Sequence, residues 1–323
     1  MGNGKMLSRN EKLRNGAAHR KRVTIAYGTV RGVAYRAKIE DFLDSKRGKK
    51  CRGKVQLIFT SPPFPLNRKK RYGNLQGEEY LKWLGELAPR LCDLLKPDGS
   101  LVIELGNSWQ HGQPTMSTLA IESLLKFRSE AGLNLCQQFV CYNPARLPSP
   151  AQWVNVERIR VKDSFTLVWW MSASTRPQAD NRRVLTEYSK SMKHLLESKK
   201  YNAGKRPSEH RIGMKSFLTN NNGAIPSNVL TFSNTSSSDA YLNYCRHHDY
   251  QLHPARMAAG LAEFFVKFLT VPRNLVLDPF AGSNVTGAIA ERLKRRWIAV
   301  EPEEEYLRGS RGRFKTLDRD YLV

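Results

Sequence analysis

Short apolar runs alternate with helical periodicity along much of the chain. Val55–Thr60 is a mostly apolar run that leads into Ser61-Pro62-Pro63-Phe64. It predicts a strand closed by a stiff turn, because proline fixes φ and offers no N–H. From 78 to 95, Leu81, Leu84, Leu87, Leu91, Leu94 and Leu95 recur at helical spacing, and Pro97-Asp98-Gly99 breaks the helix they predict. A buried strand is predicted over 101–105, a helix over 119–131 and a strand near 135–142. After His253 the rhythm resumes, with a helix over 262–269, a strand over 275–277, a helix over 285–293 and a strand over 297–300. This alternation predicts an α/β fold built on a largely parallel sheet.

Between 143 and about 251 the pattern changes. Pro, Ser and Asn dominate, with loop signals at Leu147-Pro148-Ser149-Pro150, 220–223 and 233–238. One strand, 166–171, and one helix, 185–198, are predicted inside this stretch. A long, basic, loop-rich insert fits a substrate-reading region better than a second enzyme core. No internal repeat is visible.

Charge then narrows the class. The 323 residues carry 53 Lys+Arg against 29 Asp+Glu, a net +24, with 40% hydrophobic residues. That composition excludes a disordered or fibrous chain, and the surplus points to a polyanion, with nucleic acid the first expectation. Residues 1–54 hold 16 Lys/Arg and 4 Asp/Glu, so half of the surplus lies in the first sixth. Residues 1–22 read as a flexible basic arm, too poor in apolar residues for a secretory signal. Truncating them should weaken DNA binding across all sequences and flatten its salt dependence. No apolar run is long enough to cross a membrane as a helix. Five cysteines with no C-x-x-C pair favour free thiols over a disulfide framework or a zinc cage, and no metal is expected.

Two strand-to-loop junctions carry the chemistry. In the first, strand 276–277 runs into Asp278-Pro279-Phe280-Ala281-Gly282-Ser283-Asn284, and the next helix opens with Val285-Thr286. Strand 297–300 then ends in Glu301, 19 residues after Gly282. In nucleotide-binding α/β units a glycine turn lets the backbone approach the ligand, and an acid about 20 positions on grips the ribose hydroxyls. One firm glycine and no Walker lysine fit an adenosine ligand without pyrophosphate, and S-adenosylmethionine meets that description. An ordinary crossover with a glycine turn is the plain alternative.

The second junction is Ser61-Pro62-Pro63-Phe64. An exocyclic aromatic amine is a weak nucleophile because its lone pair is delocalised into the ring. A rigid turn offering a side-chain oxygen and a backbone carbonyl can accept both N–H bonds and localise that pair. An aromatic ring can stack on the extruded base. None of the cysteines follows a proline, which argues against the covalent cysteine chemistry of C5 methylation.

Together, Ser61-Pro62-Pro63-Phe64 and the turn at 278–287 resemble the amino-group DNA methyltransferases. Serine at the first position is similar to the cytosine-N4 branch, since the adenine-N6 enzymes usually place Asp or Asn there. The order, catalytic tetrad before cofactor turn, resembles the circularly permuted β class. His253-Pro254-Ala255-Arg256 resembles that family's first cofactor-contacting motif. Similarity around 61–74, 143–150, 153–163 and Trp169-Trp170 resembles the PvuII-type modification enzymes, over residues 35–314.

The resemblance implies a Rossmann-like methyltransferase fold with a mixed, mostly parallel seven-stranded sheet and an inserted target-recognition region. The implied boundaries are a basic arm at 1–22, a catalytic half at 23–143, a target-recognition insert at 144–251 and a cofactor half at 252–323. It implies direct methyl transfer from S-adenosylmethionine to N4 of a flipped cytosine in duplex DNA, within a type II restriction-modification system. Ser61, Pro62, Pro63 and Phe64 would be catalytic, with Glu104 assisting proton removal beside Ser61. Asp278, Phe280, Gly282, Ser283, Asn284, Thr286, Glu301, His253 and Pro254 would hold the cofactor. Arg68, Lys69, Lys70 and Arg71 would contact phosphates, and Arg146, Arg158, Arg160 and Lys162 bases or backbone. CAGCTG, methylated at the inner cytosine, is the implied target. A monomer is expected, in the cytoplasm with the nucleoid (in the nucleus for a eukaryotic source), with a restriction endonuclease as functional rather than physical partner.

In two respects the chain departs from the pattern, the first being Glu104, which stands where the resembled enzyme has an aspartate. Ala37-Lys38 stands where a glycine-aspartate pair contacts the adenine, so the first strand would hold it by packing. Three other readings stay open: an adenine-N6 DNA methyltransferase, a methyltransferase for RNA or protein amides, and a non-catalytic DNA-binding protein with a vestigial cofactor site.

Overall fold

Every position of Val55–Thr60 is buried, and that strand lies near the middle of one large sheet. The computed structural model describes residues 23–64, 75, 77–201, 203–205, 207–213, 215, 217–233 and 239–322. Ten strands make up the sheet: β1 (Thr24–Gly28), β2 (Gly32–Arg36), β3 (Val55–Thr60), β4 (Leu95–Gly106), β5 (Asn134–Tyr142), β6 (Phe165–Ser172), β7 (Val229–Thr231), β8 (Leu275–Asp278), β9 (Arg296–Glu301) and β10 (Arg319–Asp320). Their spatial order is β7-β5-β6-β4-β3-β8-β9-β2-β1-β10. The run β4-β3-β8-β9-β2 is parallel throughout, and β6 is antiparallel to both its neighbours. The seven strands from β5 to β2 form the expected mixed, mostly parallel sheet. Short edge strands β7, β1 and β10 widen it.

Helices cover both faces, as a parallel sheet requires. They are α1 (Ile39–Asp44), α2 (Gly77–Cys92), α3 (Leu119–Glu130), α4 (Lys190–Ser198), α5 (Ala240–His247), α6 (Ala259–Leu269), α7 (Val285–Arg292) and α8 (Glu304–Ser310). One face packs Phe59, Val276 and Trp297 against Phe265 and Ile289. The other packs Ile58, Ile103 and Leu277 against Leu84, Leu87 and Phe127. The alternation along β3, Ile58 to one side and Phe59 to the other, is the period-two pattern of a strand buried on both faces.

Most predicted elements shift by one to three residues at their ends. Two differ more. The predicted helix at 185–198 begins only after Ser189, whose hydroxyl caps it by accepting from Met192 N, because Thr186 instead pairs antiparallel with Ala224. The strand predicted at 101–105 starts at Leu95 and carries Pro97-Asp98-Gly99 within it. A register shift against β3 absorbs the extra residues. The five cysteines are free, as expected, and no described helix is long and apolar enough to cross a membrane.

Candidate active site

β3 and β8 are parallel neighbours, and the chains leaving their carboxyl ends diverge to form a cleft, where open α/β sheets place their ligands. The last residue of each strand locks this edge: Thr60 Oγ1 donates to Asp278 Oδ1 at 2.7 Å. Asp278 also accepts from Phe280 N at 3.1 Å and Thr286 Oγ1 at 2.7 Å, so one buried carboxylate organises the turn that follows. Burial pushes its pKa up to about 6 despite these donors.

Within that turn Gly282 has φ +49, and its N–H donates to Glu301 Oε2 at 2.7 Å. A Cβ there would lie 2.8 Å from His253 Nε2, so the position needs glycine for both its backbone and its close neighbour. Glu301 Oε1 accepts from Glu303 N at 2.9 Å, and burial pushes this carboxyl up to about 7. Ser283 is held from behind: Arg313 Nε donates to its carbonyl at 2.6 Å and Nη2 to its hydroxyl at 3.2 Å. Asp239 accepts from Arg313 Nη1 at 3.2 Å, keeping that buried cation paired.

The resulting cleft opens between these two turns. Ser61, Pro62, Pro63, Phe64, His253, Asp278, Phe280, Gly282, Ser283, Thr286 and Glu301 all line it. Two sequence-predicted residues do not. Asn284 is fully buried, with φ +52, and caps α7 by accepting from Gly287 N at 3.1 Å while donating to Tyr27 Oη at 2.9 Å. Its side chain is spent on the fold. Pro254 lies in the adjoining recess instead. Neither Ala37 nor Lys38 lines the cleft. Pro302, Glu303 and Tyr306 take up the wall next to Glu301. Only the tetrapeptide Glu301-Pro302-Glu303-Glu304 directly after a strand could have signalled them.

Asp278, Glu301 and Glu303 line this cleft, and among the described residues no Lys or Arg does. A phosphate-rich ligand would meet repulsion in it. A cationic sulfonium attached to an adenosine fits both the acidic lining and the apolar walls from Phe280, Met257 and Val285.

A second recess, about 1160 Å³, shares Ser61 and Phe64 with the first. Its floor is Glu104, on β4 beside β3. Thr166 Oγ1 donates to Glu104 Oε1 at 2.9 Å, and the Ser61 hydroxyl also hydrogen-bonds this carboxylate. Burial raises the Glu104 pKa, and the Thr166 and Ser61 hydroxyls and the Arg146 charge oppose that rise. Thr166, on β6, escaped the sequence reading because its partner lies 62 positions away. The Phe64 ring lies against Gly106 at the end of β4.

The proposed DNA contacts are dispersed. Arg68, Lys69, Lys70 and Arg71 fall outside the described residues. Arg146 lines the second recess and donates to Phe165 O at 3.1 Å. Arg160, exposed, donates to Pro114 O at 3.0 Å, Lys162, half-buried, donates to Pro144 O at 3.2 Å, and Arg158 is exposed with φ +58.

Comparison with known proteins bears on this geometry. Residues 55–311 match the family model described as DNA methylase. The chain is 45% identical to the type II methyltransferase M.PvuII of Proteus hauseri over 262 residues, 80% of this chain and 78% of that protein. It is 26% identical to the type II methyltransferase M.BglII of Bacillus subtilis over 78% of this chain and 61% of that one. Among solved structures, the cytosine-N4-specific PvuII DNA methyltransferase superposes with a TM-score of 0.73 at 36% identity, covering 92% of this chain and 90% of that one. A DNA modification methylase from Thermus thermophilus shares the fold, with a TM-score of 0.52 at 18% identity, covering 90% of this chain and 98% of that one.

Proposed function

The chain belongs to the DNA methylase family of N6/N4 enzymes, and from that premise we propose that it methylates the exocyclic N4 of cytosine in duplex DNA, as the modification enzyme of a type II restriction-modification system. The observation that carries this reading is the meeting of two cavities at Ser61 and Phe64, one lined by carboxylates and apolar side chains, the other by Glu104. The 45% identity to M.PvuII and the superposition on the cytosine-N4-specific enzyme support the choice of base.

S-adenosylmethionine, bound in the first cavity, supplies an electrophilic methyl group. Glu301 accepts the ribose hydroxyls, while Phe280 and Tyr306 give the adenosine apolar surface. Asp278, Gly282, Ser283 and Thr286 keep the turn open for close backbone approach. The flipped cytosine enters the second cavity and stacks on Phe64. Ser61 Oγ and the carbonyl of the proline turn accept the two N4–H bonds, which localises the nitrogen lone pair for direct attack. The proton released from N4 passes by way of the Ser61 hydroxyl to Glu104, which Thr166 holds in place. Burial makes Glu104 a stronger base than an exposed carboxylate, and that suits it to accept a proton near neutral pH.

The basic arm (1–22) and the Arg68–Arg71 run supply phosphate contacts, with Arg146 at the mouth of the base cavity. Residues 23–143 and 252–323 act as the two halves of the catalytic domain, and 144–251 as the target reader. The target is CAGCTG at its inner cytosine, the working form is a monomer, and the setting is the cytoplasm alongside the nucleoid. The test is to incubate the protein with labelled S-adenosylmethionine and plasmid, digest to nucleosides, identify the methylated base and map its position. N4-methylcytosine is expected. N6-methyladenine alone, or unlabelled DNA, overturns the proposal.

A further inference from the structure

The two cavities above lie at the carboxyl ends of the strands. At their amino ends a separate recess opens to solvent. The sequence places cations where the strands begin: Lys54 directly precedes β3, Arg273 stands two residues before β8, Arg296 opens β9, and Lys96 is the second residue of β4. Arg47, in the short helix Lys46–Lys49, and Lys50, which follows it, complete the rim. These six cations share one lining that holds no carboxylate among the described residues. None of the six belongs to an ion pair within the described chain, whereas Arg31, Arg36 and Arg90 nearby in sequence are all paired.

Converging like charges without counter-charges raise the energy of the fold unless an anion screens them. The rim is open, and Lys50, Lys54, Arg273 and Arg296 are exposed. Long, mobile cations around an open rim suit a row of phosphates better than one enclosed phosphate. Arg47 also donates to Val23 O at 3.0 Å and stacks over Tyr35. The chain therefore arrives at this recess straight from residues 1–22, which carry seven Lys/Arg and one Glu.

The recess and Ser61 sit at opposite ends of β3, whose six residues span roughly 20 Å at about 3.3 Å each. DNA is stiff over about 150 bp, so a duplex lying across the catalytic cleft does not bend back around the sheet to reach it. We propose that this recess binds the phosphate backbone of a second DNA segment, so that the enzyme holds one duplex for catalysis and another beneath the sheet. The identity of the polyanion rests on the DNA reading given above. Such a contact would let the enzyme pass between segments during target search without full release.

The test immobilises a duplex on beads, loads the protein, and measures capture of a second, labelled duplex from solution. Wild-type protein should capture it, less so as salt rises. The variant Lys50→Ala/Lys54→Ala/Arg273→Ala/Arg296→Ala should bind the beads and methylate a short duplex at the wild-type rate, yet lose capture at least tenfold. Its capture should also show a salt slope shallower by roughly two to three. Equal capture by wild type and variant, or no capture by wild type, overturns the proposal. If the quadruple variant melts early, Lys50→Gln and Arg296→Gln alone should each reduce capture, and unchanged capture in both refutes it. Absence of methyl transfer in either protein would instead count against the catalytic reading, since capture is read independently of it.

Discussion

Gly106→Ala tests the catalytic geometry at a residue that carries no chemistry of its own. An ideal Cβ at this position lies 2.4 Å from Phe64 Cε2 and 2.6 Å from Cδ2, where ordinary contact begins near 3.4 Å. Gly106 ends β4 and pairs with Thr166 on β6, so the strand is held and the ring must withdraw by about 1 Å. Phe64 is the proposed stacking surface for the base, and a misplacement of about 1 Å in such a site costs on the order of 10²-fold in rate. That corresponds to about 2.7 kcal/mol of barrier. Single-turnover methyl transfer at saturating cofactor and DNA should therefore slow about a hundredfold. Cofactor KM should change far less than the rate: Phe64 also lines the cofactor cleft, but the new Cβ touches neither Gly282 nor Glu301. A rate within threefold of wild type would refute the link between this contact and base positioning.

Three further outcomes follow from the site. Glu104→Gln should lower kcat by roughly 10²–10⁴, and a rate within a few-fold of wild type removes Glu104 from the proton path. Glu301 has its carboxyl pushed up to about 7 from an ordinary 4.5, so the folded state holds this proton more tightly than the unfolded chain. Its stabilising contribution is then full below about 4.5 and fades as pH rises through about 7. Without cofactor the protein should melt at lower temperature at pH 8 than at pH 5, and Glu301→Gln should shrink that difference. An unchanged difference contradicts the assignment. Arg313→Met removes the cation that holds Ser283 and pairs with the part-exposed Asp239, which keeps Arg256 as a partner, so the cost is about 1–3 kcal/mol, that of the hydrogen-bonding groups left unsatisfied. A marked fall in melting temperature and a rise of about tenfold in cofactor KM are expected, the latter measured at a temperature where the variant is folded.

Much of the site was legible in the sequence because its parts are contiguous. Ser61-Pro62-Pro63-Phe64 and the turn from Asp278 to Thr286 each follow an apolar strand, and Glu301 ends the strand after them. Periodicity placed the strands, and the turn motifs with their resemblance to the amino-group methyltransferases put all three at one edge of a sheet. Asn284 shows the limit: the same turn supplies both ligand-facing residues and the helix cap, and sequence does not separate them. The grip of Thr166 on Glu104 and of Arg313 on Ser283 depends on side chains 62 and 30 positions apart, which no local pattern encodes. The hairpin β1–β2 also went unseen, since Thr24–Gly28 and Gly32–Arg36 are short and set among charged residues. The predicted helix at 185–198 started too early because pairing of Thr186 with Ala224 outweighed local propensity.

The place of β6 limits how the enzyme's specificity could be re-engineered. Phe165–Ser172 falls inside the segment read as the target-recognition insert, yet it pairs with β4 on one side and β5 on the other, and its Thr166 holds Glu104. An exchange cassette cut at residue 144 would pull out an interior strand and, with Thr166, the hydroxyl that holds Glu104. Transplanted recognition loops would need to leave Phe165–Ser172 in place and join the host on either side of it. The segment proposed as the reader thus carries a strand of the catalytic sheet, and the two cannot be separated by a cut at its boundaries.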